Sequence, residues 1–269
     1  MNKEIKTLWK GSSEPLLKAL HILTRDGKLN ADSRRKLKQV QHLVQLIEPF
    51  LFRTLTARQS LHVSDFGAGK SYLGFLLYDL VLRGIPESKL TSIELREELV
   101  QKSAQLAKDS NFERMEFISS AIENTKLKTQ VDVICALHAC DTATDDAILF
   151  GIRENAHAFA LVPCCQAEVS AQLDQIPASE KSPLFRHPLH RREFGSHLTN
   201  VIRGLFLNSL GYAVTVTELV GFEHSMKNEL ILAEKKSTPD HPESLRAKEV
   251  LSKILKEYRI KPKLTLNLF

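Results

Sequence analysis

The chain is expected to be an α/β protein: a mostly parallel, seven-stranded sheet with helices on both faces and an N-terminal helical extension. Three observations predict this. From Leu61 onward, short apolar runs alternate with helical segments, the pattern of parallel strands linked by crossover helices. The first run ends at Asp65 and turns on Gly67 and Gly69 into a helix beginning near Tyr72. The last two runs, Tyr212–Val220 and Glu229–Ala233, follow one another closely and read as a hairpin closing one edge.

Residues 1–56 show helical periodicity and no strand pattern. One helix is expected over Pro15–Leu23 and a second from a cap at Asp32 or Ser33 to about Ile47 and Glu48. Strands follow at Leu61–Asp65, Lys89–Leu95, Met115–Ile118, Val131–Leu137 and Ala158–Val162, with a helix over Glu97–Lys108. Residues 170–200 break the alternation. Their prolines and Arg186, His187, His190, Arg191 and Arg192 read as a basic loop beside the site, followed by a helix over Asn200–Leu210. A linker at Ser237–Pro242 leads to a helix over Leu245–Tyr258 and an apolar tail. The domain reading is therefore 1–56 extension, 57–236 main domain and 237–269 linker, helix and tail.

Of 269 residues, 43% are hydrophobic and 26% charged, the balance of a globular chain with one large core. No run reaches the roughly 20 apolar residues of a membrane span, and Met1–Lys6 lacks a signal-peptide core. A cytoplasmic location with no membrane partner is expected. The four cysteines form no C-x-x-C, so a reduced compartment is the simpler inference. A net charge of +5 is compatible with a nucleic-acid partner.

The glycine turn admits two nucleotide-handling readings, and spacing separates them. A phosphate-cradling loop needs a glycine five residues before Gly69-Lys70-Ser71, but Ser64 stands there. Asp65 would also repel phosphate. An acid beside bare backbone suits instead a ligand with a ribose and a cationic or neutral centre, and S-adenosylmethionine fits. Glu94, at the end of the second strand, is placed to take ribose hydroxyls, further along than the usual spacing of roughly 20 residues. Gly67, Ala68, Gly69 and Lys70 would line the turn. No acid stands directly after the third strand, so backbone groups of Ala121 and Ile122, or Glu123 one turn later, would face the adenine.

Ligands of open parallel sheets bind beyond the carboxyl ends of the strands, where His138, Cys140, Asp141, Cys164 and Cys165 would stand. For a hydroxyl acceptor, His138 or Asp141 could be the general base, and a hydrogen-bonded strand-end histidine explains His138 equally well. The cysteine pair admits a thiol nucleophile, a strained zinc site that lacks the usual spacing, or small residues packed beside the cofactor. No metal is expected.

Four stretches carry a resemblance: Asp65-Phe-Gly-Ala-Gly-Lys-Ser-Tyr-Leu73, Leu137-His-Ala-Cys-Asp-Thr-Ala-Thr-Asp-Asp146, Val162-Pro-Cys-Cys-Gln166 and Glu223-His-Ser-Met-Lys-Asn228. Together they resemble a bacterial family of class I S-adenosylmethionine-dependent methyltransferases, with a fainter similarity to eukaryotic tRNA ribose methyltransferases. The resemblance implies a Rossmann-like methyltransferase fold and S-adenosylmethionine as cofactor. It also implies an acceptor that is RNA at a ribose hydroxyl or base, with catalysis at His138, Asp141, Cys164 and Cys165. His138 would touch the cofactor too, and His224, Lys227 and Asn228 would meet the acceptor. A small-molecule or protein acceptor, or a non-catalytic cofactor-fold module, are the alternatives. The oligomeric state is not readable.

Overall fold

The computed structural model describes residues 13–24, 26–56, 58–137, 139–163, 166–218 and 229–266. Seven strands form one sheet in the order β3-β2-β1-β4-β5-β7-β6. They are β1 His62–Phe66, β2 Lys89–Glu94, β3 Met115–Ser119, β4 Val133–Leu137, β5 Ala158–Val162, β6 Tyr212–Glu218 and β7 Glu229–Lys235. The first five run parallel. β7 enters antiparallel between β5 and β6, so the expected hairpin closes the sheet with its second strand innermost.

The central strands read as unbroken apolar runs because both faces are covered, yet side chains still alternate along each strand. Val63, Cys135, Ala158, Ala160, Val162 and Leu230 enter one core cluster. Phe66, Ile134, Ala136, Phe159, Leu161, Ile231 and Ala233 enter the other. Helices α1 (Glu14–Ala19), α2 (Ala31–Thr56), α3 (Tyr72–Leu80) and α4 (Glu97–Asp109) pack on the first face. On the second lie α5 (Thr142–Arg153), α6 (Glu168–Asp174), α7 (Pro188–Ser209) and α8 (Pro242–Glu257). The N-terminal helices share the first core: Leu16, Leu17, Ile47, Phe50 and Leu51 are buried in the cluster that holds Val63 and Leu90.

Two expectations fail, and a proline stands in each stretch. The second helix begins at Ala31, so Asp32 and Ser33 lie inside it, and it runs through Pro49 to Thr56. An interior proline costs roughly 3 kcal/mol, but Ile47, Phe50 and Leu51 are buried around it. At roughly 1.5–3 kcal/mol each, their burial outweighs the kink. Likewise, residues 170–200 are largely helical. Pro188 stands in the first turn of a 22-residue helix that continues to Ser209, with His187 extended before it, the geometry that proline favours at a helix start. The basic residues are also partly neutralised: Lys181 and Arg191 both pair with Asp174, and Arg192 with Glu193.

Gly151 of α5 lets that helix settle on the sheet. A Cβ there would lie 2.6 Å from Ile134 Cγ1 and 2.7 Å from Phe159 Cζ, both buried and rigidly held. Gly151→Ala is therefore expected to destabilise by about 1–3 kcal/mol; a melting curve checks it, and an unchanged melting temperature would contradict the tight helix–sheet contact. Among the described residues no helix is long and apolar enough to cross a membrane.

Candidate functional site

β1 and β2 end side by side, with Asp65 in register with Ser92 and Phe66 with Ile93. The chain then turns through Gly67 and Gly69, at φ +60 and +58, values a side chain adopts only with strain. A Cβ on Gly67 would meet the Ala139 Cβ at 3.2 Å. The turn is thus bare both for conformation and for close approach to the segment leaving β4. Ser71, also left-handed, precedes α3.

Glu94 anchors this turn. Its Oε2 accepts the Gly69 amide at 2.7 Å, and its Oε1 accepts the Arg96 amide at 3.2 Å and Arg96 Nε at 2.8 Å. Partial burial pushes its carboxyl pKa up, but the bonds from Arg96 and Gly69 prevail and hold it below its ordinary value. The result is an ionised acceptor fixed at the mouth of the sheet, where sequence reasoning expected it.

Asp65 is placed differently from a ligand-facing acid. It is 1% exposed and lies beneath the turn, its Oδ2 accepting the Gly74 amide of α3 at 3.2 Å. Its Oδ1 is buried without a partner, as is the Ser92 hydroxyl. A Cβ on Gly74 would press on Ser92 Oγ at 3.0 Å and on Asp65 Oδ2 at 3.3 Å. Burial, opposed by the Gly74 bond and reinforced by Glu94, pushes the Asp65 carboxyl up to about 7.

Along the other wall, Ser120 N donates to the Glu94 carbonyl at 3.2 Å and Ser119 Oγ to the Leu95 carbonyl at 3.3 Å. These bonds bring the segment after β3 against the end of β2. Ala121 and Ile122 there are half-buried, while Leu95 is 68% exposed. An exposed leucine, a half-buried isoleucine and an anchored carboxylate thus stand on adjoining segments at this end of the sheet. Leu95 was not singled out from the sequence; a leucine directly after a mouth-facing acid was the available signal. Lys70 is exposed at the rim.

β4 and β5 also end together, with Leu137 in register with Val162. His138, Cys164, Cys165, His224, Lys227 and Asn228 lie outside the described residues. Of the expected catalytic set, Asp141 is described. Its Oδ1 accepts the Ala167 amide at 2.9 Å and the Glu168 amide at 3.2 Å, which caps α6. Its carbonyl accepts from Arg203 Nη2 at 2.8 Å. The carboxylate is thus engaged as a cap. Cys140 is exposed; Cys135 is buried inside β4, its thiol pushed up by burial and by Asp65. Among the described residues no group of His, Cys, Asp or Glu is disposed to hold a metal ion.

The residues at this end of the sheet are of the kinds an adenosyl ligand calls for. A ribose needs an ionised acceptor in Glu94's position, an adenine needs apolar walls, and a chain passing over Gly67 and Gly69 needs backbone without Cβ atoms.

The methyltransferase PaMTH1 of Podospora anserina, solved with SAH bound, aligns over 88% of this chain and 97% of its own, at 13% identity and a TM-score of 0.50. That likeness supports the fold. The magnesium protoporphyrin IX methyltransferase of Synechocystis, also with SAH bound, aligns over 82% and 93% at 14% identity and a TM-score of 0.49. An rRNA methylase from Streptococcus thermophilus aligns over 66% and 89% at 16% identity and a TM-score of 0.44. No curated protein is similar enough to match. Residues 35–172, just over half of the chain, match a family described as a methyltransferase domain, and the chain belongs to that family: it is a class I methyltransferase that uses S-adenosylmethionine.

Proposed function

We propose that this enzyme methylates RNA, at a ribose hydroxyl or a base, with the cofactor laid across the ends of β1 and β2. Glu94, ionised and anchored between Gly69 and Arg96, is the observation that carries the cofactor assignment: it receives the ribose hydroxyls. Leu95 and Ile122 flank the adenine, and backbone groups of Ala121 and Ile122 meet its edge. The backbone of Gly67, Ala68 and Gly69 faces the amino-acid portion, with Lys70 at the rim. Asp65 acts from below, by fixing the first turn of α3. Residues 57–236 form the transferase domain, with 1–56 and 237–269 flanking it.

The bound cofactor supplies an electrophilic methyl group on a sulfonium. The chain has to aim the acceptor atom at it and remove the acceptor's proton where there is one. Asp141 is engaged as a helix cap, so the general base falls to His138, with Cys164, Cys165, His224, Lys227 and Asn228 on the acceptor side. Asp141→Asn, whose side-chain oxygen can still cap α6, is then expected to keep kcat within about tenfold, while His138→Ala loses about 10²–10⁴-fold. The reverse order in a methyl-transfer assay would move the base to Asp141.

RNA as acceptor is supported by the sequence resemblance, by the net charge of +5, and by exposed Lys256 and Lys261, Arg259 between them being paired with Glu180. Lys256, Arg259 and Lys261 line a groove of about 770 Å³ with Leu255 and Ile260. Affinity for single-stranded RNA is expected to fall steeply with salt, the logarithmic slope being about 0.7 per phosphate contacted. Salt-insensitive binding, with methyl transfer confined to protein or metabolite fractions, would point to the other acceptor classes.

A further inference from the structure

Arg203 lies in the middle of α7 and is 1% exposed. Its guanidinium serves three acceptors: Nε donates to Asp145 Oδ1 at 2.6 Å, Nη1 to Asn200 Oδ1 at 3.2 Å, and Nη2 to the Asp141 carbonyl at 2.8 Å. Asp145 alone would neutralise the charge. The bond to Asp141 needs another explanation, and the backbone there provides one. Asp141 has φ 49 and ψ −123, a region that glycine enters freely and aspartate only under strain. Such a residue persists where its surroundings hold it. Two grips do so here, Arg203 on the carbonyl and the Ala167 and Glu168 amides on Oδ1.

The same cluster reaches the neighbouring strands. Gln166, at the exit of β5, donates Nε2 to Asn200 Oδ1 at 3.2 Å and accepts from Ser196 Oγ at 2.6 Å. Asn200 Nδ2 donates to Glu229 Oε2, at the start of β7, at 2.7 Å. One buried helix face therefore ties together the ends of β4, β5 and β7.

We propose that Arg203 is a positioning residue for methyl transfer, holding Asp141 in its strained conformation so that the segments leaving β4 and β5 keep one arrangement on the acceptor side. This rests on the reading that the acceptor enters over those strand ends.

The test uses the full chain. Arg203→Met is combined with Asp145→Leu, so that neither charge is left buried alone, and the pair is made with Asp141 and with Asp141→Gly, since glycine takes this backbone without strain. Three quantities are read: calorimetric affinity for S-adenosylhomocysteine, kcat and KM for labelled methyl transfer to total RNA, protein or metabolite fractions, and hydrogen exchange at the Ala167 and Glu168 amides. With Asp141 present, kcat is expected to fall about 100-fold, the scale of a misplacement of about 1 Å. The two amides should exchange at least about tenfold faster while β1 and β4 stay protected. Cofactor affinity should hold, and in the Asp141→Gly background the added loss should largely vanish. Unchanged kcat and exchange, equal losses in both backgrounds, or cofactor affinity falling in step with kcat would each overturn the proposal. If no fraction accepts methyl from the wild type, the acceptor reading alone fails; exchange at the two amides with Asp141 present, with and without Arg203, then decides whether Arg203 holds that residue.

Discussion

Replacing Glu94 by alanine is expected to weaken binding of S-adenosylhomocysteine about 100-fold, measured by titration calorimetry. Hydrogen bonds to a charged acceptor contribute roughly 1.5–3 kcal/mol each, and the two ribose hydroxyls would lose theirs together. The free protein should change less, because Gly69 and Arg96 stand at the mouth, where water can replace Glu94 as acceptor. Glu94→Gln keeps the shape and one oxygen acceptor, so it should fall between, near tenfold. If alanine left the affinity within about threefold, roughly what half a hydrogen bond is worth, the ribose would have to sit elsewhere.

The second large effect is on stability against pH. Asp65 is fully buried and its pKa rises from 3.8 to about 7 on folding. Between those values the folded state binds the proton and the unfolded state does not. The group's contribution to stability is therefore fully present at acid pH and is lost as pH rises through about 7. At 1.36 kcal/mol per unit, the whole window amounts to something like 4 kcal/mol. The ligand-free protein should thus melt at lower temperature at pH 8 than at pH 5, and Asp65→Asn, always neutral, should flatten that slope. Glu94 is the charge that reinforces the shift, so Glu94→Ala should move the midpoint downward. A wild-type profile that rose between pH 5 and 8 by the same amount as that of Asp65→Asn would contradict the buried carboxyl.

Much of this architecture could be read from local pattern. The run from Leu61 to Gly69 specified strand, turn and helix because glycine is favoured where the backbone is left-handed, and Gly67 and Gly69 are both so. Glu94 was placed for a similar reason: strand polarity puts the residue ending β2 at the carboxyl edge of the sheet. The helices beginning at Ala31 and Pro188 were misread where a local rule met long-range burial. Proline marks a break in isolation, but it is tolerated where Phe50 and Leu51 are packed and welcome in the first turn of α7. The Arg203 cluster had no local signature, since its partner Asp145 is 58 positions away and the apolar residues around it, Ile202 and Phe206, suggest an ordinary core face. Asp65 illustrates a third limit. Sequence placed it near the end of the first strand, but only the packing of Gly74 over Ser92 shows that its carboxyl points into the protein.

The backbone at Asp141 bears on how this enzyme would respond to selection in the laboratory. A library screened for heat resistance alone should seldom settle on glycine at that position, because relief of about 1–3 kcal/mol of local conformational energy is offset by losing the carboxylate that accepts the Ala167 and Glu168 amides. A thermostabilisation campaign therefore gains little from randomising codon 141.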